Sequence, residues 1–169
     1  MQTASRNIRH KAIRTALKSA FPATRFAVRG SRGTGYGWTN VGWTDGPTDQ
    51  AVSNVVRRFF GSKFNGMTDG YDPTGNNFEH NGEWYRAGGD GFHTHRAYSP
   101  AFMHRVVEAV GTRYGAPPES WPAVVPSEHG THLEARADTT SPLSNGDDYH
   151  NSWRHLVWRA MEDRTTVSA

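Results

Sequence analysis

The sequence predicts an α+β fold, in which a small antiparallel sheet of about three strands is packed by helices. Two short extended segments flank a glycine-rich loop, which is typical of a hairpin, and four other segments show helical periodicity. Strands and helices do not alternate regularly, as they would in a doubly wound sheet. The predicted order is α-β-β-α-loop-β-α, followed by a C-terminal helix.

The composition indicates a small core built on aromatic side chains. A length of 169 residues suits one domain, or one domain with an appendage. Hydrophobic residues make up only 35% of the chain but aromatic residues 12%, and each buried ring hides a large apolar area. The chain has no Cys, which excludes a disulfide framework, a thiolate zinc site and a Cys nucleophile.

The N-terminal segment has the pattern of an amphipathic helix. Ser5 is a suitable N-cap, and the helix is predicted to end at about Ala20, because a residue before proline, here Phe21, disfavours the α conformation. The 3.6-residue period separates an apolar stripe from a basic face in water. The stripe contains Ile8, Ala12, Ile13, Ala16, Leu17 and Ala20, and the basic face contains Lys11, Arg14 and Lys18.

A β-hairpin is predicted next, with strands at residues 24–29 and 38–44 around the glycine-rich loop 31–37. Alternation places Val41 and Trp43 on one face of the second strand. A sharp corner follows at residues 45–47, where Asp-Gly breaks the strand and a proline prevents its continuation.

A second helix is predicted after this corner, with Thr48 as its cap and Gly61 as its C-terminal stop. Its apolar residues are Ala51, Val52, Val55, Val56, Phe59 and Phe60. Residues 61–91 are rich in Gly, Asn and Asp, so they are predicted to be mostly loop, with one short strand at 83–86. A further strand is predicted at 92–98.

The third helix is predicted to begin at Ser99-Pro100, a good N-cap and first-turn pair, and to end near Gly115. Its inward residues are Phe102, Met103, Val106, Val107 and Val110. Residues 116–126 hold four of the nine prolines and are predicted to be extended linker, and residues 127–148 to be loop. A last helix starts at Asp147 or Asp148, with Trp153, Leu156, Val157, Ala160 and Met161 at helical spacing. The predicted domains are an α+β core at 1–115, a linker or loop at 116–148 and a helix with its tail at 149–169.

Several short motifs resemble those of a known family, large polyvalent protein-associated domain 29, over about residues 8–115. The motifs are His10-Lys11-Ala12-Ile13-Arg14, Phe21-Pro22, Phe26-Ala27-Val28-Arg29, Val41-Gly42-Trp43-Thr44-Asp45-Gly46-Pro47-Thr48, Phe64-Asn65-Gly66-Met67-Thr68-Asp69 and His95-Arg96-Ala97-Tyr98-Ser99. The most specific is Trp-Thr-Asp-Gly-Pro-Thr at a strand-to-helix corner.

The resemblance implies a protein of phages, plasmids or actinobacterial mobile elements. In these the domain occurs alone or inside very large multidomain proteins that help the element to establish itself in a host. It implies no catalytic residues, because no biochemical activity is settled for the family. Residues 116–169 lie outside it.

The charge distribution indicates a polyanionic partner. Eight of the nineteen Lys and Arg residues lie in residues 1–44, whereas all sixteen Asp and Glu residues follow this segment. Such asymmetry is typical of nucleic-acid binding, although a solvated basic helix without a partner also produces it. The predicted nucleic-acid-binding residues are Lys11, Arg14, Lys18, Arg25, Arg29, Arg32, Tyr36 and Trp38, since cations neutralise phosphates and exposed rings stack on unpaired bases.

Two other functions remain open. Exposed aromatic residues and a Trp-rich last helix suit a protein–protein interaction module, such as an antagonist of host defence, because either Trp153 or Trp158 must face outward. A metal-dependent enzyme is the third hypothesis, since His93 and His95 share one side of a strand. Residues 128–134 could add ligands, but they lie in predicted loop.

Acid–base catalysis would require Asp45 or Asp69 to lie near a His or near each other. The simpler expectation is that Asp45 makes turn hydrogen bonds to nearby backbone N–H groups. We therefore expect a non-enzymatic protein without a cofactor. The polar, basic N-terminus resembles neither a signal peptide nor a membrane span, so we expect a cytoplasmic protein of the host cell, without membrane association.

Overall fold

The computed structural model describes residues 1–116, 118–127, 130–134 and 153–162, and it confirms the α+β class. The helices are α1 (Arg6–Ala20), α2 (Asp49–Val56), α3 (Pro100–Arg113) and α4 (Trp153–Glu162). The strands are β1 (Ala27–Gly30), β2 (Trp38–Thr44), β3 (Ser62–Asn65), β4 (Gly70–Pro73), β5 (Asn77–His80), β6 (Glu83–Arg86), β7 (Gly91–Ala97), β8 (Ala123–Ser127) and β9 (Gly130–Glu134).

The chain divides into two compact units. The first contains Met1–Trp43 and Asp49–Arg96, and the second contains Thr44–Thr48 and Ala97–Ala169. The predicted domain boundaries at residues 115 and 148 stay predictions. No helix in the described part of the chain is both long enough and apolar enough to span a bilayer.

A three-stranded sheet with the order β1-β2-β7 forms the centre of the first unit, and β1 and β2 are the predicted antiparallel hairpin. Val28 lies opposite Val41 in this hairpin, and both side chains are buried. Helix α1 packs against them through Ile13 and Leu17, which are fully buried. Its predicted cap is confirmed, because the Ser5 hydroxyl accepts a hydrogen bond from the Ile8 backbone N–H at 3.4 Å.

Helix α2 buries Val52 and Val56 in the same core and continues into a 3₁₀ turn at Arg57–Phe59. The predicted C-terminal stop, Gly61, comes two residues after this turn, and its φ is not positive. This glycine instead permits close approach of two backbone segments. A Cβ at Gly61 would lie 2.6 Å from the Ala87 carbonyl oxygen.

The prediction that residues 61–91 are mostly loop is wrong. This segment forms two antiparallel hairpins, β3–β4 and β5–β6, before β7 begins. Only the predicted strand at 83–86 is confirmed. Most side chains of β3 and β4 are exposed on both faces, so the sequence carries no apolar alternation by which these strands could be recognised.

The second unit is built on α3 and α4. The Ser99 hydroxyl caps α3 by accepting a hydrogen bond from the Phe102 N–H at 3.2 Å, and the predicted inward residues of α3 are buried. They pack with the buried Trp153, Leu156 and Val157 of α4. Strands β8 and β9 form a hairpin where the sequence predicted linker and loop. The predicted start of the last helix at Asp147 or Asp148 lies outside the described residues.

Candidate functional site

The three-stranded sheet has one covered and one open face. Thr39, Val41 and Trp43 of β2 are buried, and they define the inner face. Alternation along the strands directs the intervening side chains to the opposite side. This outer face contains Arg29, Trp38, Asn40, His93 and His95, of which all but the partly buried Trp38 are exposed.

Helix α1 contacts the β1–β2 hairpin through three residues at four-residue spacing. The Arg6 guanidinium donates to the backbone oxygens of Ser31 at 3.2 Å and Tyr36 at 3.4 Å. His10 Nε2 hydrogen-bonds the Thr39 hydroxyl at 3.1 Å, and Arg14 donates to the Val28 carbonyl at 2.6 Å. Arg14, one of the three residues of the predicted basic face, therefore has a structural role, because its guanidinium is hydrogen-bonded to β1.

The predicted site residues lie on different surfaces of this unit. Lys11 and Lys18 are exposed on α1, the helix that covers the inner face. Arg29 and Trp38 lie on the outer face and are diagonal neighbours there, since Arg29 pairs with Asn40. The other three residues are exposed and flank the strands: Arg25 before β1, and Arg32 and Tyr36 in the connection to β2.

Four rings form a continuous series that begins on the outer face. The Trp38 ring stacks on His93, with centroids 4.5 Å apart and planes 10° apart. Tyr71 meets the edge of Trp38 at 6.2 Å, and Phe64 meets Tyr71 at 5.5 Å. Tyr71 and Phe64 are 51% and 53% exposed. We call these four residues the ring series.

A groove of about 690 Å³ lies beside the ring series, between α2, the β3–β4 hairpin and the start of β7. Three of the four rings (Trp38, Tyr71 and Phe64) line it, together with Phe60 and Phe92. Its polar lining comprises Gln50, Ser53, Arg57, Ser62, Lys63, Thr74, Asn76 and Asp90. The groove thus combines aromatic walls with a small number of polar groups, as ligand pockets do.

Two adjacent polar residues of α1 are buried, which the sequence did not predict. Arg9 is 3% exposed, its guanidinium carbon lies 5.1 Å from the Phe60 ring centroid, and its Nε has no hydrogen-bond partner within the described residues. Burial lowers the pKa of Arg9, Asp90 opposes this shift and Arg6 adds to it. Burial, with smaller contributions from Arg9, Arg14 and Arg6, lowers the pKa of His10 to about 4.

The metal and acid–base hypotheses stay predictions. No group of three or more His, Asp or Glu side chains suited to a metal ion occurs in the part of the chain that the structure describes. His93 stacks on Trp38, and the side chains of residues 128–134 are not described. The Asp45 carboxylate accepts hydrogen bonds from the distant Ser99, and its expected bonds to nearby backbone N–H groups stay a prediction. Asp69 is exposed in the β3–β4 turn.

Three members of the ring series were not predicted as site residues. Phe64 and Tyr71 lie in the segment assigned to loop, although they flank a turn-forming run, residues 65–70, and pair directly across β3 and β4. The turn-forming run is the sequence signal that could have identified a hairpin here, although neither strand shows apolar alternation. His93 was considered as a metal ligand, and its stacking on Trp38 depends on a strand pairing that the sequence does not reveal.

The outward aromatic residue of the last helix is Trp158, which is 53% exposed, whereas Trp153 is buried. This agrees with the prediction that one of the two faces outward. Trp158 belongs to the second unit, whereas the residues of the outer face and the groove belong to the first.

Comparison with protein-family profiles matches residues 5–99 to the family described as large polyvalent protein associated domain 29. Comparisons with curated proteins and with solved structures give no match. The matched segment covers more than half of the chain and includes the outer face and the groove, and it confirms the resemblance found in the sequence motifs. The chain therefore belongs to the large polyvalent protein associated domain 29 family, a family associated with phages and other mobile elements.

Proposed function

We propose that this protein is a non-enzymatic accessory protein of a phage or other mobile element, and that it binds nucleic acid on the outer face of its three-stranded sheet. The observation that carries the proposal is the stack of Trp38 on His93, 4.5 Å apart, beside the exposed Arg29. Rings on an open sheet offer stacking surfaces, and a neighbouring cation neutralises phosphate.

The ring series favours single strands over duplex. Unpaired bases can stack on aromatic side chains, whereas the bases of a duplex are already stacked on one another. Tyr71 and Phe64 extend the stacking surface beyond the sheet, and both are about half exposed. A flexible strand can therefore follow the rings from His93 toward the β3–β4 hairpin.

Positive charge is available along this path and around it. Arg29 lies on the outer face itself, and Arg25 and Arg32 are exposed on either side of β1. Tyr36 is also exposed, with the Arg6 guanidinium 4.0 Å from its ring centroid. Lys11, Arg14 and Lys18 of α1 supply a second basic surface, on the other side of the sheet, which attracts a polyanion at longer range.

The test is fluorescence anisotropy of a labelled single-stranded oligonucleotide at several salt concentrations. Trp38→Ala should weaken binding by about 5- to 150-fold, since removing one stacking side chain costs about 1–3 kcal/mol. Trp84→Ala is the matched control, because Trp84 is 60% exposed on β6 and is not part of the ring series. Equal affinities for the wild type and Trp38→Ala, or wild-type binding that does not respond to salt, would rule out this interface.

A second candidate function is binding of a host or phage protein through α4. The observation that favours it is the exposure of Trp158 on a helix whose opposite face is buried, because Trp is enriched at the centres of protein interfaces. Size-exclusion chromatography and a host-lysate pull-down with the wild type and Trp158→Ala test it. A strict monomer that captures no partner would argue against it.

A further inference from the structure

We infer that the groove beside Trp38 is a pocket for one unpaired base that carries an exocyclic amino group, such as adenine or cytosine. The inference rests on the proposed function, because the base would belong to the strand held on the outer face. It goes further by assigning a base preference and by naming the residues that set it.

The walls and the size of the groove suit a planar aromatic ligand. Trp38, Tyr71 and Phe64 line the groove, and the Tyr71 ring contacts both of the others, while Phe60 and Phe92 lie 5.2 Å apart, centroid to centroid. A volume of about 690 Å³ falls in the range of small-molecule sites. Because Trp38 belongs to both the outer face and the groove, a strand stacked on the sheet can deliver its next base there.

Besides the cations Arg57 and Lys63, the polar lining presents hydrogen-bond acceptors. Gln50 uses its amide nitrogen to donate to Asn54 Oδ1 at 2.8 Å. Asn76 uses its amide nitrogen to donate to the backbone oxygens of Phe60 at 3.1 Å and Arg57 at 3.4 Å. The amide oxygens of Gln50 and Asn76 are left as acceptors, and the carboxylate of Asp90, which also interacts with Arg9, is a third acceptor group.

The acceptors of Gln50 and Asn76 distinguish between the bases. Adenine and cytosine carry amino groups that donate to such oxygens, whereas thymine places a carbonyl at the corresponding position. A carbonyl next to the Gln50 and Asn76 oxygens would leave acceptors without donors, which costs binding free energy.

Two cations are placed to hold the phosphate of the same nucleotide. Arg57 and Lys63 both line the groove and are exposed. The Arg57 side chain is oriented by a hydrogen bond from its Nε to the Ser53 carbonyl oxygen at 3.4 Å. The groove therefore has charge for a phosphate, rings for a base and acceptors for the amino group.

The experiment compares the affinity of the full chain for oligo(dA), oligo(dC) and oligo(dT) of equal length. We expect oligo(dA) and oligo(dC) to bind about fivefold more tightly than oligo(dT), the effect of about one hydrogen bond. Gln50→Leu should reduce this preference to near unity. Gln50→Glu, which keeps acceptors at the same position, should retain it. Gln50 is exposed on α2, so neither substitution removes core contacts.

The outcomes separate this inference from the proposed function. If none of the three oligonucleotides binds, both are wrong. If all three bind with equal affinity, or oligo(dT) binds more tightly, the amino-base pocket is wrong while nucleic-acid binding on the sheet stands. A preference for oligo(dA) and oligo(dC) that Gln50→Leu leaves unchanged also overturns the assignment of the groove.

Discussion

The carboxylate of Asp45 accepts two hydrogen bonds from Ser99, one from the backbone N–H at 2.8 Å and one from the hydroxyl at 2.7 Å. Asp45 follows β2 with a positive φ of 56°, and Ser99 is the N-cap of α3. One side chain thus positions the residue that begins a helix 54 residues later in the chain. Within its unit, the corner after β2 is a structural anchor.

We predict that Asp45→Ala lowers the free energy of unfolding by about 3 kcal/mol or more. The substitution removes two hydrogen bonds to a charged acceptor, each of which contributes about 1.5 kcal/mol or more, and it places a β-carbon residue without a polar side chain at positive φ. Asp45→Asn keeps one acceptor oxygen and should lose less. Urea unfolding followed by circular dichroism measures both variants.

Asp69→Ala is the matched control for Asp45→Ala. Asp69 also has a positive φ, 49°, but it is exposed in the β3–β4 turn. Both alanine variants therefore lose stability through the positive φ, whereas only Asp45→Ala loses the hydrogen bonds to Ser99. Similar losses in the two alanine variants would show that the Asp45–Ser99 contact contributes nothing to stability.

The buried His10 predicts a pH dependence of stability. Burial holds the pKa of His10 at about 4, below the ordinary value of 6.5. Between these two values the unfolded chain binds a proton at His10 that the folded chain does not bind. The contribution of His10 to the free energy of unfolding is therefore fully present above pH 6.5 and is lost as the pH decreases toward 4. The slope contributed by this one group is at most about 1.4 kcal/mol per pH unit.

Comparison of the wild type with His10→Gln isolates this contribution. We expect the variant to lose the part of the slope between pH 6.5 and 4 that one proton accounts for, as measured by urea unfolding at several pH values. His104→Gln is the control, because His104 is exposed on α3. An unchanged slope in His10→Gln would mean that another group causes the acid sensitivity.

The elements that the sequence predicted well are those whose signals are local. Strand β2 spans residues 38–44 as predicted, because apolar and polar residues alternate and Asp-Gly-Pro ends it. Helix α3 begins at Ser99-Pro100 because a cap and a first-turn proline lie together. Strands β3 and β4 have no apolar alternation or cap of this kind, because most of their side chains are exposed. Each of the two strands is stabilised by pairing with the other.

The candidate site was only half predictable for the same reason. Trp38 and Arg29 could be predicted as surface residues of a hairpin from their own alternation. The stacking of Trp38 on His93 joins strands 55 residues apart, and the contact with Tyr71 depends on the unrecognised β3–β4 hairpin. Arg9 and His10 lie four and three residues before the buried Ile13, so the helical period places both on the apolar face. Their burial was missed because such polar side chains are ordinarily exposed.

The position of the Trp38 ring depends on a glycine in β7. A Cβ at Gly91 would lie 2.7 Å from the Trp38 ring, too close for the present packing. We predict that Gly91→Ala displaces Trp38, weakens single-strand binding and destabilises the fold by about 1–3 kcal/mol, as overpacking does. Gly66→Ala is the control, because its Cβ would lie 3.8 Å from Phe64. If Gly91→Ala bound single strands as tightly as the wild type, Trp38 would not belong to the interface.

The salt dependence of binding distinguishes the two basic surfaces. Each cation that contacts a phosphate of a single strand contributes about 0.7 to the slope of log affinity against log salt. Arg29 lies on the outer face, whereas Lys11 and Lys18 lie on the helix that covers the inner face. We therefore expect Arg29→Ala to reduce the slope by about 0.7, and Lys11→Ala with Lys18→Ala to change it little. The opposite result, a loss in the double variant alone, would place the strand on α1.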